Sequence, residues 1–597
     1  MKMKYISILL ILLLILMIMI PACKMTTSTI TSTLTTTKTQ AIPATLQSTT
    51  TAMPTKANWW DKFGKPKYGG ALTQRISDLN PSFDSTSFLG YFDDIWDQFF
   101  TPDWKLDRNN WSFHFGNFIP EEYTVGGLAE SWNWTDPTTL KVTIRKGIHY
   151  HNKPPVNGRE FIADDIVFTF DRFMGTGHGY TKPNEGYTSF LVAIEKVNLI
   201  DRYTLEVKFK NPSPWINMRV LLDPMCQYWE APEVVALGPH TEDLNTAIGT
   251  GPFMVHDLVR NSTMTLIANP DYWGYDERYP ENKLPYIQSV KYIIIPDDAS
   301  AIAALRTGKI DFMGNQSLTT KKVIEKSNPE IVTMGRPSGG TGIGMRLDLQ
   351  PFSDIRVRKA LQLAVDISSI AKNYYEGTVS EEPCGIIHPG EKGYCYPYND
   401  WPQSLKDEYK YSPQKAKQLL AEAGYPGGFN TDIVLSSEGT DIAYFEIFKS
   451  MFAEIGVNME IRPYDRATAE SITHSGKTQG MVGGTYAATQ PPNIALRTWT
   501  TGATGNIWFL SDPVVDDLFN QLNTKAASPE DAQRIIRTFD KHMIEQHYVV
   551  VGPAPVSYAL WQPYLKGYSG ETGLGRNGAR MITTFYAARV WIDQTTK

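Results

Sequence analysis

The side chains able to do covalent or metal chemistry are few in this 597-residue chain, which holds 10 His and 4 Cys. It carries no HExxH zinc-protease pattern, no GxSxG nucleophile elbow and no Walker A loop. His542 and His547 are five apart on a predicted helix, off the three- or four-residue spacing that would bring both rings to one face. His149 and His151 are two apart at a predicted strand end, so both rings can project to one side. Two such imidazoles suit a metal such as nickel, and solvated or locally bonded histidines are the other reading. Gly339-Gly340-Thr341-Gly342-Ile343-Gly344 looks like a phosphate cradle. It lacks the lysine and the strand-before, helix-after context of a nucleotide loop, so it reads as a flexible entrance to a second lobe. A glycosidase would need two carboxylates at a set separation across a cleft, and no pairing of acids here points to one. The chemistry on offer is recognition rather than reaction, and no cofactor is expected.

Cysteine use is equally sparing. Cys384 and Cys395 bracket the loop-like GIIHPGEKGY, so a disulfide closing that loop is one expectation and two free thiols the other. Cys226 has no evident partner and reads as a small buried hydrophobe. Cys23 belongs to the chain start. Lys2 and Lys4 precede an apolar run from Tyr5 to Ile20 and then Pro21-Ala22-Cys23, which is the layout of a secretory signal ending in a lipidated cysteine. An uncleaved membrane helix is the alternative, and either reading tethers the chain outside the cytoplasm. From residue 24 to 60 the chain is dominated by Thr and Ser and buries no apolar area, so a disordered stalk is expected.

More than 500 residues follow, too many for one core, so two or more lobes are expected. With 57 Lys+Arg against 63 Asp+Glu the net charge is -6, and no basic patch argues for nucleic acid. Aromatics reach 12%, with 15 Trp and 30 Tyr, enough to line a large ligand cleft as well as to fill cores.

The elements alternate. Leu140, Val142 and Ile144 alternate with Lys141, Thr143 and Arg145 as in a half-buried strand, with turns at Gly147 and Asn157-Gly158. Asp164 and Asp165 favour a helix start, and Ile162, Ile166, Phe170 and Phe173 recur at helical spacing. Two strands meet at Arg260-Asn261-Ser262. Asp354 caps a helix through Val357, Leu361 and Val365, and Ser412-Pro413 starts another that ends at Gly424. Such alternation predicts α/β lobes.

Several of these segments together resemble one family. The run from Gly126 to Phe173, with its Trp132-Asn133-Trp134 and Asp164-Asp165-Ile166, resembles the peptide/nickel, oligopeptide/dipeptide-type (family 5) solute-binding lipoproteins of ABC transporters. Gly251-Pro252-Phe253 with Asn269-Pro270-Asp271-Tyr272-Trp273, Gly308-Lys309-Ile310-Asp311, and Pro351 to Leu361 continue the likeness, which covers nearly the whole folded chain.

The resemblance implies a two-lobed periplasmic-binding-protein fold, α/β, with an extra subdomain inserted in lobe I. Lobe I would use 61–100, 232–335 and 558–597, the insert 101–231, and lobe II 336–557, after a signal over 1–23 and a stalk over 24–60. It implies a monomer, lipid-anchored at Cys23 on the outer face of the cell membrane, that passes a peptide-like or other small organic ligand to ABC permease subunits. It also implies the cleft residues: Asn80, Asp84 and Ser85 from lobe I, Arg346 on a strand, Tyr486, Gln490 and Asn493 from a lobe II loop, and Trp499 and Trp508 as stacking platforms. Peptide binders of the family carry Trp-x-Ala-Asp-Tyr-x-x-Pro there, the aspartate holding the peptide ammonium. Aligning the final prolines puts Ala488 at that aspartate, and no acidic residue lies between Glu470 and Asp512. Oligosaccharides are therefore the alternative ligand class, and an extracytoplasmic hydrolase is the alternative of another kind.

Overall fold

The computed structural model describes residues 57–597 apart from 77–82, 86–94, 116–117, 185–186, 188–190, 223–227, 239–242, 339, 438–440, 488–490 and 573–581, and apart from the side chains of 341 and 485–487. The signal, Cys23, Cys226 and nearly all of the stalk lie outside the described residues. The stalk expected to reach residue 60 ends sooner. Arg108 lies over the Trp59 ring at 3.7 Å, Trp59 meets Trp104 edge-on at 5.3 Å, and Trp60 is buried. Rings packed this way belong to the core and not to a solvated tether.

Two sheets carry the molecule. The first has seven strands in the order Val332–Pro337, Val556–Trp561, Phe312–Gln316, Ala71–Ile76, Ser289–Ile294, Thr263–Ala268 and Phe253–Val259. Ala71–Ile76 runs parallel to both neighbours, as a strand fed by crossovers must. The turn read from Arg260-Asn261-Ser262 closes a hairpin in which Val259 faces Thr263, with Asn261 at φ 56°, a left-handed conformation that Asn tolerates. The second sheet orders Val457–Tyr464, Phe429–Ser436, Met481–Ala487, Gly340–Met345 and Val549–Val551, with Phe429–Ser436 parallel to both neighbours.

A third, antiparallel sheet orders Ala129–Asp136, Thr139–Ile144, Thr204–Phe209 and Ile194–Asp201. Against it lies the helix Ala163–Met174, whose Ile166, Phe170 and Phe173 are buried. The Asp165 carboxylate accepts from Ile162 N–H at 2.9 Å and from Arg159 at 2.7 Å, so the acid read as a helix-start signal satisfies an orphan donor. Gly175 at φ 68° ends the helix.

Two apolar clusters follow the sheets. One joins the seven-stranded sheet to the antiparallel one through Leu72, Phe170, Tyr292 and Trp561. The other fills the lobe with the five-stranded sheet, and it also takes in Trp111, Phe113, Phe115, Phe118, Trp215 and Ile216 from the inserted region. That region thus bridges both lobes, where the sequence assigns it to lobe I alone.

Candidate functional site

The chain passes between the two large sheets twice. Val332–Pro337 leads into Gly340–Met345, and Val549–Val551 leads back into Val556–Trp561. The partners on each side pair antiparallel, so the crossings run side by side, linked where Ser338 N–H donates to Pro555 at 3.1 Å. Pro337, Pro553 and Pro555 lie in or beside these crossings, where fixed φ and a missing N–H stiffen the path without costing a ladder bond. Two short parallel crossings make a hinge.

Ligands of open α/β sheets sit beyond the carboxyl ends of their parallel strands. Here those ends are Ile76, Ser436 and Ala487, and the segments that follow, including Asn80 and Gln490, lie outside the described residues. Tyr486 is described in backbone only. It is the extra residue of a bulge, since Gly340 pairs with Ala487 while Thr341 already pairs with Thr485. Bulges of this kind redirect a strand at its rim.

The structure does not gather the remaining candidates in one pocket. Asp84 and Ser85 are tied into a charged network. Arg172, from the helix Ala163–Met174, bonds Asp84 at 2.8 Å and Glu230 at 2.6 Å, and Ser85 Oγ donates to the same Glu230 at 2.7 Å. These residues brace the chain after the first strand against the insert. Arg346, expected to face the cleft, is buried. It chelates Asp348 at 2.8 Å through two nitrogens, donates to the carbonyls of Gly476 and Thr478, and covers the Phe509 ring at 4.1 Å.

Trp499 and Trp508, expected as ligand platforms, are 1% and 8% exposed and stack face to face at 3.7 Å and 4°. Each ring occupies the other's face, so neither offers one to a ligand. Trp508 also explains part of the glycine run. A Cβ on Gly344 would lie 1.9 Å from its indole nitrogen, so glycine lets the ring lie on the strand Gly340–Met345. That run is a strand paired on both sides, not a loop at the lobe entrance.

Asn493 is the one described candidate on a cavity. A groove of about 380 Å³ runs between the insert and the second lobe, and Asn493 lines it with Asn211, Arg219, Arg497 and Asn523. Its Oδ1 is buried without a hydrogen-bond partner. Sequence reasoning missed the other four. The insert is fastened beside the groove by Ser213, whose hydroxyl bonds the carbonyls of Leu522 at 2.9 Å and Ala526 at 2.8 Å, and by Asn211 to Asn523 at 3.3 Å. The Asn-x-Ser-Pro spelling at 211–214 was the available signal, since it starts the helix Pro214–Leu222.

Cys384 and Cys395 are free, buried thiols rather than the expected disulfide. The loop between them is closed by another device. Asp540, fully buried on the helix Pro529–Glu545, accepts from Ile387 N–H at 3.0 Å and Tyr396 N–H at 2.7 Å. Burial raises its pKa to about 7 against the pull of those bonds. The sulfurs turn to different neighbours, Cys395 to the Pro389 carbonyl at 3.7 Å, and burial raises its thiol to about 12. Glu391 in the same loop is buried with neither carboxylate oxygen hydrogen-bonded, and its pKa is raised by burial and by Asp540.

The two histidines do not converge. His149 Nδ1 meets the Gly158 carbonyl at 2.8 Å in an exposed position. His151 is buried, accepting from Gly249 N–H at 3.1 Å through Nδ1 and reaching the Gly251 carbonyl at 3.1 Å through Nε2. Burial lowers its pKa to about 4, so the ring is neutral and used up. Among the described residues no three of His, Cys, Asp or Glu are placed to hold a metal ion. Among them, too, no helix is long and apolar enough to cross a membrane.

Two α/β lobes, a double crossing between them and an antiparallel insert are the plan of the two-lobed periplasmic binding proteins. Residues 124–506 match the bacterial extracellular solute-binding proteins, family 5 (its middle region), and the chain belongs to that family. It is 28% identical over 387 residues to heme-binding protein A of Haemophilus influenzae, a match covering 62% of this chain and 67% of that one. It is 29% identical over 363 residues to the dipeptide-binding protein of Escherichia coli, covering 57% and 63%. The match therefore spans about two thirds of the length of the first relative and less than that of the second. The periplasmic binding protein DppA of Helicobacter pylori, solved in complex with the peptide STSA, shares the fold with a TM-score of 0.68 at 22% identity, over 88% of this chain and 99% of that one.

Proposed function

We propose that this chain is the extracytoplasmic solute-binding component of an ABC importer. It captures a peptide-like or other small organic ligand between its lobes and delivers it to the permease. The observation that carries this reading is the family 5 match across 124–506, laid over a chain that crosses twice between two open sheets. Capture is noncovalent: the lobes turn about the crossings at 337–340 and 552–556, and the ligand stabilises the closed arrangement. The protein acts as a monomer, held to the outer face of the membrane through a lipid on Cys23, with residues 24–57 as the tether.

The second reading, an oligosaccharide ligand, is favoured by one feature. No acid lies between Glu470 and Asp512, so the segment that supplies the ammonium-binding aspartate in peptide binders has none here. A thermal-shift screen of di- to pentapeptides and of neutral oligosaccharides, followed by calorimetry on the hits, separates the two. A peptide ligand whose affinity survives N-acetylation fits this chain. A large loss on acetylation identifies an ammonium-binding acid elsewhere and refutes the importance of Ala488. Failure of every small solute to bind would sink the importer reading.

A further inference from the structure

A second cavity, of about 500 Å³, lies away from the crossings. All of its lining comes from 96–145, 252–277 and 583–589, so lobe II contributes nothing to it and its opening does not depend on lobe closure. Its size is that of small-molecule sites, which span roughly 300–1,000 Å³.

Its walls are aromatic: Trp96, Tyr272, Trp273, Tyr275 and Phe585. They are held from behind. Asp97 is buried and takes Tyr272 Oη and Trp273 Nε1, each at 2.8 Å, one on each carboxylate oxygen. Arg589 pairs with Glu277 at 2.9 Å and lies 3.8 Å over the Phe585 ring. The floor is backbone. A Cβ on Gly126 or Gly127 would come within 2.1 or 2.2 Å of a carbonyl oxygen, and Arg145 holds the Gly127 carbonyl at 2.8 Å.

The charges in the lining balance, with Asp97, Asp103 and Glu277 against Lys105, Arg145 and Arg589. Most are already engaged with one another, with ring hydrogens or with backbone. Two polar groups are not. Trp96 Nε1 and Thr583 Oγ1 are buried on the cavity wall, each side chain 4% exposed, with no hydrogen-bond partner. A donor and a hydroxyl left unpaired in this way cost free energy unless a guest uses them.

We propose that this cavity is a second binding site, distinct from the inter-lobe cleft, for a neutral polyhydroxylated ring of mono- or disaccharide size. Ring faces pack against the apolar face of a sugar, the indole N–H donates to one hydroxyl, and the threonine hydroxyl exchanges a bond with another. A charged guest is disfavoured, because the lining offers no uncompensated charge to meet it.

The test titrates the full chain with cellobiose, maltose and N,N′-diacetylchitobiose, by saturation-transfer NMR and calorimetry. Two conservative variants accompany it: Thr583→Val, which removes only the hydroxyl, and Tyr275→Ala, at a ring that is 54% exposed and so not needed for folding. At least one disaccharide is expected to bind, with affinity lowered about tenfold by each variant and with the melting temperature of the free protein unchanged. Lack of binding by all three sugars overturns the proposal. So does binding that both variants leave intact, which places the sugar in the cleft; the importer reading stands or falls separately on cleft ligands.

Discussion

At the scale of single residues, the structure turns expected contacts with a ligand into contacts within the protein. Spacing gave Trp499 and Trp508 the look of platforms, but stacking at 3.7 Å and 4° makes them a core pair. A ring and its distance along the chain carry no information on which face is free; that depends on Gly344 and on the strand it belongs to. Replacing either ring by Ala should therefore destabilise the ligand-free protein by about 3 kcal/mol or more, read as a lowered denaturation midpoint. An unchanged midpoint with weakened ligand binding would restore the platform role. Asp540 supports a second prediction. Its carboxyl ionises near pH 7 when folded and near 3.8 when unfolded. Between those values the folded state holds a proton that the unfolded state has released. Stability should thus be greatest on the acid side and fall as pH rises through the window, at up to about 1.4 kcal/mol per pH unit, levelling off above about 7. Asp540→Asn should flatten that slope in denaturant titrations run from pH 4 to 8. A slope that persists in the variant would move the proton to another group, Glu391 first.

At the scale of elements, the regular pieces were legible. The helix Ala163–Met174, the hairpin at 260–262 and the Asp354-capped helix Ile355–Leu363 follow from periodicity and turn chemistry, and Asp354 accepts from Arg356 N–H at 2.8 Å. The aromatic run 111–119 was not legible. It has neither helical nor strand period, and its burial in the second lobe's cluster depends on partners more than 200 residues away, such as Tyr394 at 5.2 Å from Phe118. The same limit hid the groove around Asn493, whose walls come from three distant segments. These inter-lobe ties bear on function. The insert's sheet shares a core with lobe I, so the bonds from Ser213 to Leu522 and Ala526 form only when the insert meets lobe II. Ser213→Ala should lower ligand affinity about fivefold, the loss of roughly 1 kcal/mol of closed-state contact, while k_on changes little. Affinity equal to the wild type would mean that the insert stays docked when the lobes part.

At the scale of the whole molecule, the central claim is that one chain closes two lobes on one small organic solute. The two sheets, their double crossing and the family match support it together, and the loops that would name the solute follow Ile76, Ser436 and Ala487. A true ligand at a hundredfold excess over its dissociation constant adds about 2.7 kcal/mol to stability and draws the lobes together, so scattering should give a smaller radius of gyration with ligand than without. Native mass spectrometry of the protein purified without denaturation reads the claim most directly. The account predicts a population carrying one extra noncovalent mass of a few hundred daltons, released intact on unfolding and identified as a peptide or an oligosaccharide, which rebinds one to one when added back. A protein that is empty in every preparation, that gains no mass from any peptide or oligosaccharide offered and that converts one of them to product would contradict it.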